Sequence, residues 1–296
     1  MYGAAITAVS CLRAGTEAHV AWVVDSSGLP EFDPTEVLTL TAGGARLGSL
    51  ANGSLNAHVE FIAGATRGRL VDIVLTGTDA LIAAVPDGGR ATIAIAPAAA
   101  LPDDLWGMLF ERRPVALSAR IDAGTLVDFE VVDSANLELG VTTSTRSDDR
   151  LVTTFVPVAR LAIFGGGAIV EALTSGAELL GWQCASTNDV DHAIGLMNSL
   201  SPLDSAVIMG HDVESSSRVL EAALESAAGY IGSIGAPRMQ QQRADWLAYR
   251  GVTDLSRVHG PAGIDIGATT PAEIAISILA EAVHIHHRPE GDSDSE

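Results

Sequence analysis

The sequence predicts two α/β domains, the second doubly wound around a parallel sheet. Three observations carry that prediction. The chain has 296 residues, and at roughly 100–200 residues per domain this length suggests two. Beyond residue 160, short apolar runs alternate with helical patterns, the order that builds a parallel sheet covered on both faces. The first of those runs, LAIFGGGAIVEAL, passes from strand to glycine turn to helix without a break.

In chain order, residues 1–19 read as a short amphipathic helix despite Gly3 and Gly15, and His19–Asp25 (HVAWVVD) as a buried strand, short, apolar and β-branched. Val37–Thr41 and Ala45–Gly48 flank Gly43 and Gly44, which predicts a hairpin. A helix is expected over Asn56–Ala65, and strands over Leu70–Leu75, Ala80–Val85 and Arg90–Ala96. Pro102–Arg112 begins acidic and ends basic, the polarity that a helix dipole favours. Val115–Ile121 and Leu126–Val132 predict a second hairpin through Asp122, Ala123 and Gly124. The polar run GVTTSTRSDDR lacks apolar periodicity, so residues 1–140 are assigned to the first domain and 141–156 to a linker. The second domain, 157–288, is expected to hold strands at Arg160–Phe164, Gln183–Ser186, Ala206–Met209 and Tyr230–Gly232. Its helices are expected at Ala168–Leu180, Arg218–Ser226, Arg238–Arg250 and Pro271–His284. The acidic stretch PEGDSDSE, 289–296, reads as a disordered tail.

Composition narrows the function classes. With 47% hydrophobic and only 4% aromatic residues, the core must be made of Ala, Val, Ile and Leu. The formal net charge is −20 and the sequence contains no lysine. Nucleic-acid affinity is built by neutralising phosphates, so no nucleic-acid or anionic-membrane partner is expected, and a protein partner should present a neutral or basic face. Cys11 and Cys184 lie far apart without metal-ligand spacing, which fits a reducing, cytoplasmic setting. The start lacks a basic n-region, and no run of about 18 apolar residues occurs, so neither a signal peptide nor a membrane span is expected. GxSxG, Walker A, HExxH and CxxC patterns do not occur in the sequence, leaving hydrolase, kinase and zinc-enzyme readings without support.

The glycine turn has a physical reading. Gly165 would make the tight turn, Gly167 would admit a phosphate close to the backbone, and the helix from Ala168 would aim its free N–H groups at an anion. This is the Rossmann-type arrangement, with two departures. Val170 stands where a third glycine belongs. The ribose-binding acid, expected about 20 residues on, falls at Thr187-Asn188-Asp189; Asp189 could serve, and Asn188 is the better placed. The plain alternative is a tight turn with no ligand. His211 and Asp212 follow the strand 206–209, and ligands collect at such strand ends; a histidine there can act as acid, base or phosphate donor, or the two can be a hydrogen-bonded loop pair. Arg238 opens a helix and can hold a phosphate bidentately, or be a surface arginine. Thr270, Pro271 and Glu273 have the pattern of a capping box. His284 and His287 share a helix face without a carboxylate partner, so no metal is expected.

Two longer segments point to a family. YIGSIGAPRMQQQR, followed by RVHGPAGIDIGATTPAEIAISILAE, resembles the C-terminal domain of the XdhC/CoxI family, accessory proteins that mature molybdenum hydroxylases. That family reads YIG-x-x-GS-x-R and then IH-x-P-x-G-x-DIGA-x-TPEEIA-x-SI-x-AE. Tyr230, Gly232, Gly235, Arg238, His259, Gly263, Asp265, Gly267, Thr270 and Glu273 are among the matching positions. VIMGHD matches the family's LTHD at His211 and Asp212, and IFGGGAIVEAL matches VFGAGHVAxAL with Ala168 where histidine is common. The resemblance covers residues 160–288. Residues 1–140 match poorly: GSLANGSLN replaces GS-x-SGGC-x-E, with Ser54 for the cysteine and Asn56 for the glutamate, and Asp87–Gly89 replaces CGG. A serine cannot act as the soft thiolate expected near molybdenum chemistry.

The resemblance implies an accessory factor without catalysis of its own. It would bind molybdenum cofactor (molybdopterin), or a nucleotide-bearing form, in a cleft between the domains. It would then help deliver the cofactor to a molybdenum hydroxylase apoenzyme of the xanthine or carbon monoxide dehydrogenase class, and a homodimer is compatible with this. Gly165, Gly167 and Arg238 would hold phosphate; His211, Asp212, His259 and Asp265 would line the pocket, with Gly232, Gly235 and Gly267 shaping it. Two alternatives stay open: an NAD(P)-dependent oxidoreductase with His211 or His259 as acid/base, and a paralogue that has lost its ligand and acts through protein partners.

Overall fold

The computed structural model describes residues 2–60, 66–132 and 142–287. The chain divides into two compact units, Met1–Pro157 and Val158–Glu296. The expected tail, 289–296, lies outside the described residues.

In the first unit the elements run α1 (Tyr2–Arg13), β1 (Ala18–Ser27), β2 (Val37–Thr41), β3 (Arg46–Leu47), α2 (Asn56–Glu60), β4 (Gly68–Leu75), α3 (Gly77–Ile82), β5 (Gly89–Pro97), α4 (Asp103–Phe110), β6 (Val115–Asp122), β7 (Thr125–Val132), β8 (Thr143–Arg146) and β9 (Arg150–Phe155). Among the described residues the strands form one nine-stranded sheet in the order β3-β2-β1-β5-β4-β7-β6-β9-β8, with antiparallel pairing throughout. Both faces of its centre are buried. On β1, Val20 and Trp22 enter a core with Leu105, Trp106 and Phe155, while Ala21 enters a second core with Leu38, Leu50, Leu55 and Ile93. Alternate residues thus serve opposite faces, which is why HVAWVVD is apolar throughout.

Two expectations fail in this unit. Ala80–Val85, read as a strand, instead begins in α3, where the Ala83 amide donates to the Asp79 carbonyl at 2.9 Å. A short apolar run does not distinguish helix from strand. Here only Ala80 is buried, while Leu81 and Ile82 are 80% and 78% exposed. The stretch 141–156, read as a linker, carries β8 and β9 over its described residues. Its polar look comes from threonines that face inward: the buried Thr153 hydroxyl accepts the Trp22 indole N–H at 3.0 Å, and Leu151 and Phe155 fill the core beside it.

The second unit runs β10 (Arg160–Phe164), α5 (Ala168–Leu179), β11 (Gln183–Thr187), α6 (Val190–Asn198), β12 (Ser205–Ile208), α7 (Val213–Glu225), β13 (Tyr230–Ser233), α8 (Pro237–Tyr249), β14 (Val258–His259) and α9 (Pro271–His286). Among the described residues its sheet has five strands in the order β11-β10-β12-β13-β14, all parallel. This is the doubly wound, Rossmann-type sheet that the sequence predicts. Leu161, Ile163, Val207 and Tyr230 pack toward α5 and α9; Ala162, Phe164, Ala206, Ile208 and Ile231 pack toward α6, α7 and α8. From β10 the chain steps outward to β11 and then crosses back to β12, so the winding reverses between β10 and β12. Loops leaving the C-terminal ends of those strands diverge there and leave a crevice.

Candidate functional site

The crevice is present as a cleft of about 430 Å³ within the second unit, walled by Gly165, Gly166, Asn188, Met209, His211 and Asp212 among others. The glycine turn forms one wall. Gly165 has φ +146°, and a Cβ there would come within 2.4 Å of the Met209 Cγ. Its amide donates to the Thr187 carbonyl at 3.0 Å, lacing the turn to the end of β11. A Cβ on Gly166 would lie 2.9 Å from the Asn188 Nδ2. Gly167 has φ +90° and open space around it, so backbone geometry alone requires glycine there. It is the N-cap of α5 and supplies no side-chain cap, which leaves first-turn amides free beside the cleft. Val170, in place of a third glycine, is buried in the core under α5.

The other two helices that begin at the cleft are capped by carboxylates. Asp189 accepts from the His192 amide at 2.8 Å and starts α6. Asp212 accepts from the Ser215 amide at 2.7 Å and starts α7; that bond holds its carboxyl below the usual range. Asp189 is therefore occupied as a cap, and Asn188 is the residue of that pair that lines the cleft. His211 is exposed at the cleft wall.

Behind this wall lies Arg243, which the sequence reading did not single out. It is 1% exposed. Its Nε donates to the Ser216 Oγ at 3.0 Å, Nη1 to the Ser233 Oγ at 2.7 Å and the Ile234 carbonyl at 2.9 Å, and Nη2 to the Gly210 carbonyl at 2.7 Å. Burial pushes its pKa down. The expected phosphate holder, Arg238, instead stands exposed in the first turn of α8. Gly235, with φ +155°, ends the β13 loop close to Met239 and Arg243.

His259, Gly232, Asp265 and Gly267 gather elsewhere, around β14 at the far side of the sheet from β11. A Cβ on Gly232 would lie 2.7 Å from the Tyr230 hydroxyl, so this glycine makes room for a ring. The Tyr230 ring stacks on His259 with centroids 5.0 Å apart. Its hydroxyl donates to Glu281 Oε2 at 2.7 Å, and the Gly263 amide donates to the same oxygen at 2.7 Å. His259 Nδ1 is 3.5 Å from Glu281 Oε1. Burial, then donation to Glu281, pushes the Tyr230 phenol up. This cluster pins the loop that carries Asp265, whose carboxylate accepts the Gly267 amide at 3.2 Å. Farther on, Thr270 and Glu273 form the expected capping box.

The structure thus brings Gly165, Gly167, His211 and Asp212 together and leaves His259, Asp265, Gly232 and Gly267 in a second group. Glu281 and Arg243, which organise the two groups, are legible in sequence only as helix residues. In the first unit, the replacements of family residues are all bonded within their loops. The Ser54 hydroxyl donates to the Ala51 carbonyl at 2.7 Å, Asn56 Oδ1 accepts from the Leu50 amide at 2.9 Å, and Asp87 Oδ1 accepts from the Gly77 amide at 2.7 Å. Of the three C-terminal histidines, His286 is half-buried, with its Nε2 2.9 Å from the Ser205 Oγ.

Residues 161–282 match the model of the XdhC Rossmann domain. The match falls within the second unit and spans most of it. An uncharacterized protein of Escherichia coli K12, YqeB, is 28% identical over 152 residues, which are 45% of this chain and 28% of YqeB. The molybdenum cofactor insertion chaperone PaoD of the same organism is 29% identical over 142 residues, 47% of this chain and 44% of PaoD. The chain therefore spans less than half the length of either relative. A solved chain described as a xanthine dehydrogenase from Bacillus halodurans aligns over 98% of this chain and 97% of its own, at 17% identity and a TM-score of 0.45. Among the described residues no helix is long and apolar enough to cross a membrane.

Proposed function

We propose that this protein is a cytoplasmic accessory factor that binds molybdenum cofactor, or a nucleotide-bearing form of it, and assists its delivery to a molybdenum hydroxylase apoenzyme. The observation that carries the reading is the cleft at the winding reversal of a domain that matches the XdhC Rossmann model, in a chain that is 29% identical over 142 residues to a cofactor insertion chaperone. The residues fit the phosphate and pterin end of such a ligand. A volume of about 430 Å³ is in the range of small-molecule sites, roughly 300–1,000 Å³. Side chains at Gly165 and Gly166 would crowd Met209 and Asn188, so glycine keeps that wall open to a close approach. The first-turn amides of α5 meet the phosphate, Asn188 and His211 offer hydrogen bonds to ring atoms, and Asp212 frames the rim.

In this reading Gly165 and Gly167 serve through their backbone. Gly232, Gly235, His259, Asp265 and Gly267 shape the neighbouring strand ends and their loop, while Arg238 is exposed on α8 and does not line the cleft. When bound, the cofactor would carry the molybdenum; the chain's own residues bind it, orient it and shield it, and no catalytic step is assigned to them.

The test is co-elution of freshly released molybdenum cofactor with the purified chain on a desalting column, beside His211→Ala and Asp265→Ala variants. Retention near one equivalent, sharply reduced in His211→Ala, is expected. Absence of retention would overturn the reading, and NADPH binding in its place would favour an oxidoreductase. With the Asp189 carboxylate committed to capping α6, the ribose contact of a nicotinamide cofactor would have to come from Asn188.

A further inference from the structure

We infer that the buried guanidinium of Arg243 is the fixed positive charge that makes the cleft select an anionic, phosphate-bearing ligand. This rests on reading the cleft as the ligand site, and names the residue that sets its charge.

Arg243 is 1% exposed, yet its four acceptors, two serine hydroxyls and two carbonyls, are all neutral. Among the described residues no carboxylate pairs with it. A buried charge without a counter-ion is costly, and natural interiors pair such groups. The chain has 37 acidic residues against 17 basic ones, so carboxylates are not scarce. The countercharge is left for something entering from the cleft. The position suits this. Gly210 and Ile234, whose carbonyls Arg243 holds, line the cleft, as does Ser215 beside the bonded Ser216. The guanidinium therefore lies one layer behind the wall, at the C-terminal ends of β12 and β13. Its field crosses packed protein rather than water and is weakly screened there.

Two charged or titratable side chains line the same cleft, His211 and Asp212. The Asp212 carboxylate is drawn to the Ser215 amide, so it caps α7 instead of neutralising Arg243. Arg238, the arginine that sequence alone suggests for this task, is exposed with no partner among the described residues, where water screens its charge.

The probe is sodium pyrophosphate, titrated calorimetrically into the full chain at low ionic strength with chloride matched, using wild type, Arg238→Gln, Arg243→Gln and Arg243→Lys. The wild type and Arg238→Gln are expected to bind within about twofold of each other. Arg243→Gln should bind at least tenfold more weakly, equivalent to about 1.4 kcal/mol, and Arg243→Lys should keep most of the affinity. Equal affinity of Arg243→Gln and wild type, or no saturable binding by wild type, would overturn the inference. Should Arg243→Gln fail the thermal-melt control for folding, amide spectra of the wild type decide. Pyrophosphate must then perturb Gly210–Ser215, and perturbation confined to other regions overturns the proposal. The two readings fail separately. Pyrophosphate binding that depends on Arg243, without retention of molybdenum cofactor, removes the accessory-factor function alone. Cofactor retained equally by wild type and Arg243→Gln removes the role of Arg243 alone.

Discussion

Replacing Tyr230 by Phe removes one oxygen from the cluster under the Asp265 loop and leaves the ring in place. The lost bond is a 2.7 Å donation to a carboxylate, and bonds to charged groups contribute about 1.5–3 kcal/mol. Glu281 Oε2 keeps its second donor, the Gly263 amide at 2.7 Å, so the carboxylate is not left bare and the cost should fall near about 2 kcal/mol. The effect depends on pH, with a definite sign. The Tyr230 phenol is pushed up in the folded chain, so the unfolded chain, with an ordinary tyrosine value of about 10, loses that proton first. The stability from this bond is whole below about pH 10 and falls above it by about 1.4 kcal/mol per pH unit. Tyr230→Phe lacks that component, so the gap between variant and wild type should narrow above pH 10. Urea unfolding of both proteins at pH 8 and at pH 10.5–11, followed by circular dichroism, reads the gap. Equal stability at pH 8, or a gap that does not change with pH, would refute the account of the cluster.

Two further perturbations test other parts of the structure. Thr270→Ala removes the N-cap of α9 and should cost about 1 kcal/mol in urea unfolding at neutral pH. Its partner Glu273 is held down to about 2 by the Thr269 and Thr270 amides, so its contribution is present above the ordinary carboxylate range and is lost as pH falls from about 4.5 toward 2; the difference between Thr270→Ala and wild type should shrink over that window. Thr153→Val leaves the buried Trp22 indole N–H without its acceptor and should destabilise the first unit by about 1–3 kcal/mol, seen as earlier exposure of Trp22 fluorescence. An unchanged unfolding midpoint would mean that β9 does not depend on that bond.

The parallel sheet was legible chiefly at β10 and β12, whose apolar runs are each closed by a turn, while β11 (QCAST) is polar and largely exposed. LAIF, buried on both faces, fixes β10, and the glycines after it mark where the helix begins. The antiparallel sheet was harder, because its strands carry polar residues even where they are buried. RLVTTF buries Leu151, Thr153 and Phe155 in one core, yet reads as polar until Trp22, 131 residues away in sequence, is known to bond Thr153. The two-residue β14 is too short for any period to show. The site divides along the same line. Gly165, His211 and Asp212 stand at strand ends, where local pattern and position agree. Arg243 sits in the polar run QQQRADW, and its burial depends on Ser216 and Gly210, 27 and 33 residues away. Glu281 looks like an ordinary helix carboxylate until Tyr230, 51 residues away, is placed on it. Long-range partners of this kind leave no local periodicity.

Among the described residues, the nine-stranded sheet of the first unit is open and has two margins. One margin is β3, only two residues long. The other is β8, whose sequence is Thr-Ser-Thr-Arg. Unpaired backbone along a wide sheet invites strands from other molecules, and short or charged margins discourage them. A chain with so much apolar strand sequence is therefore guarded against fibrillar self-association at the two places where such growth would start. Lengthening β3 or replacing Arg146 with an apolar residue is the change expected to expose that hazard.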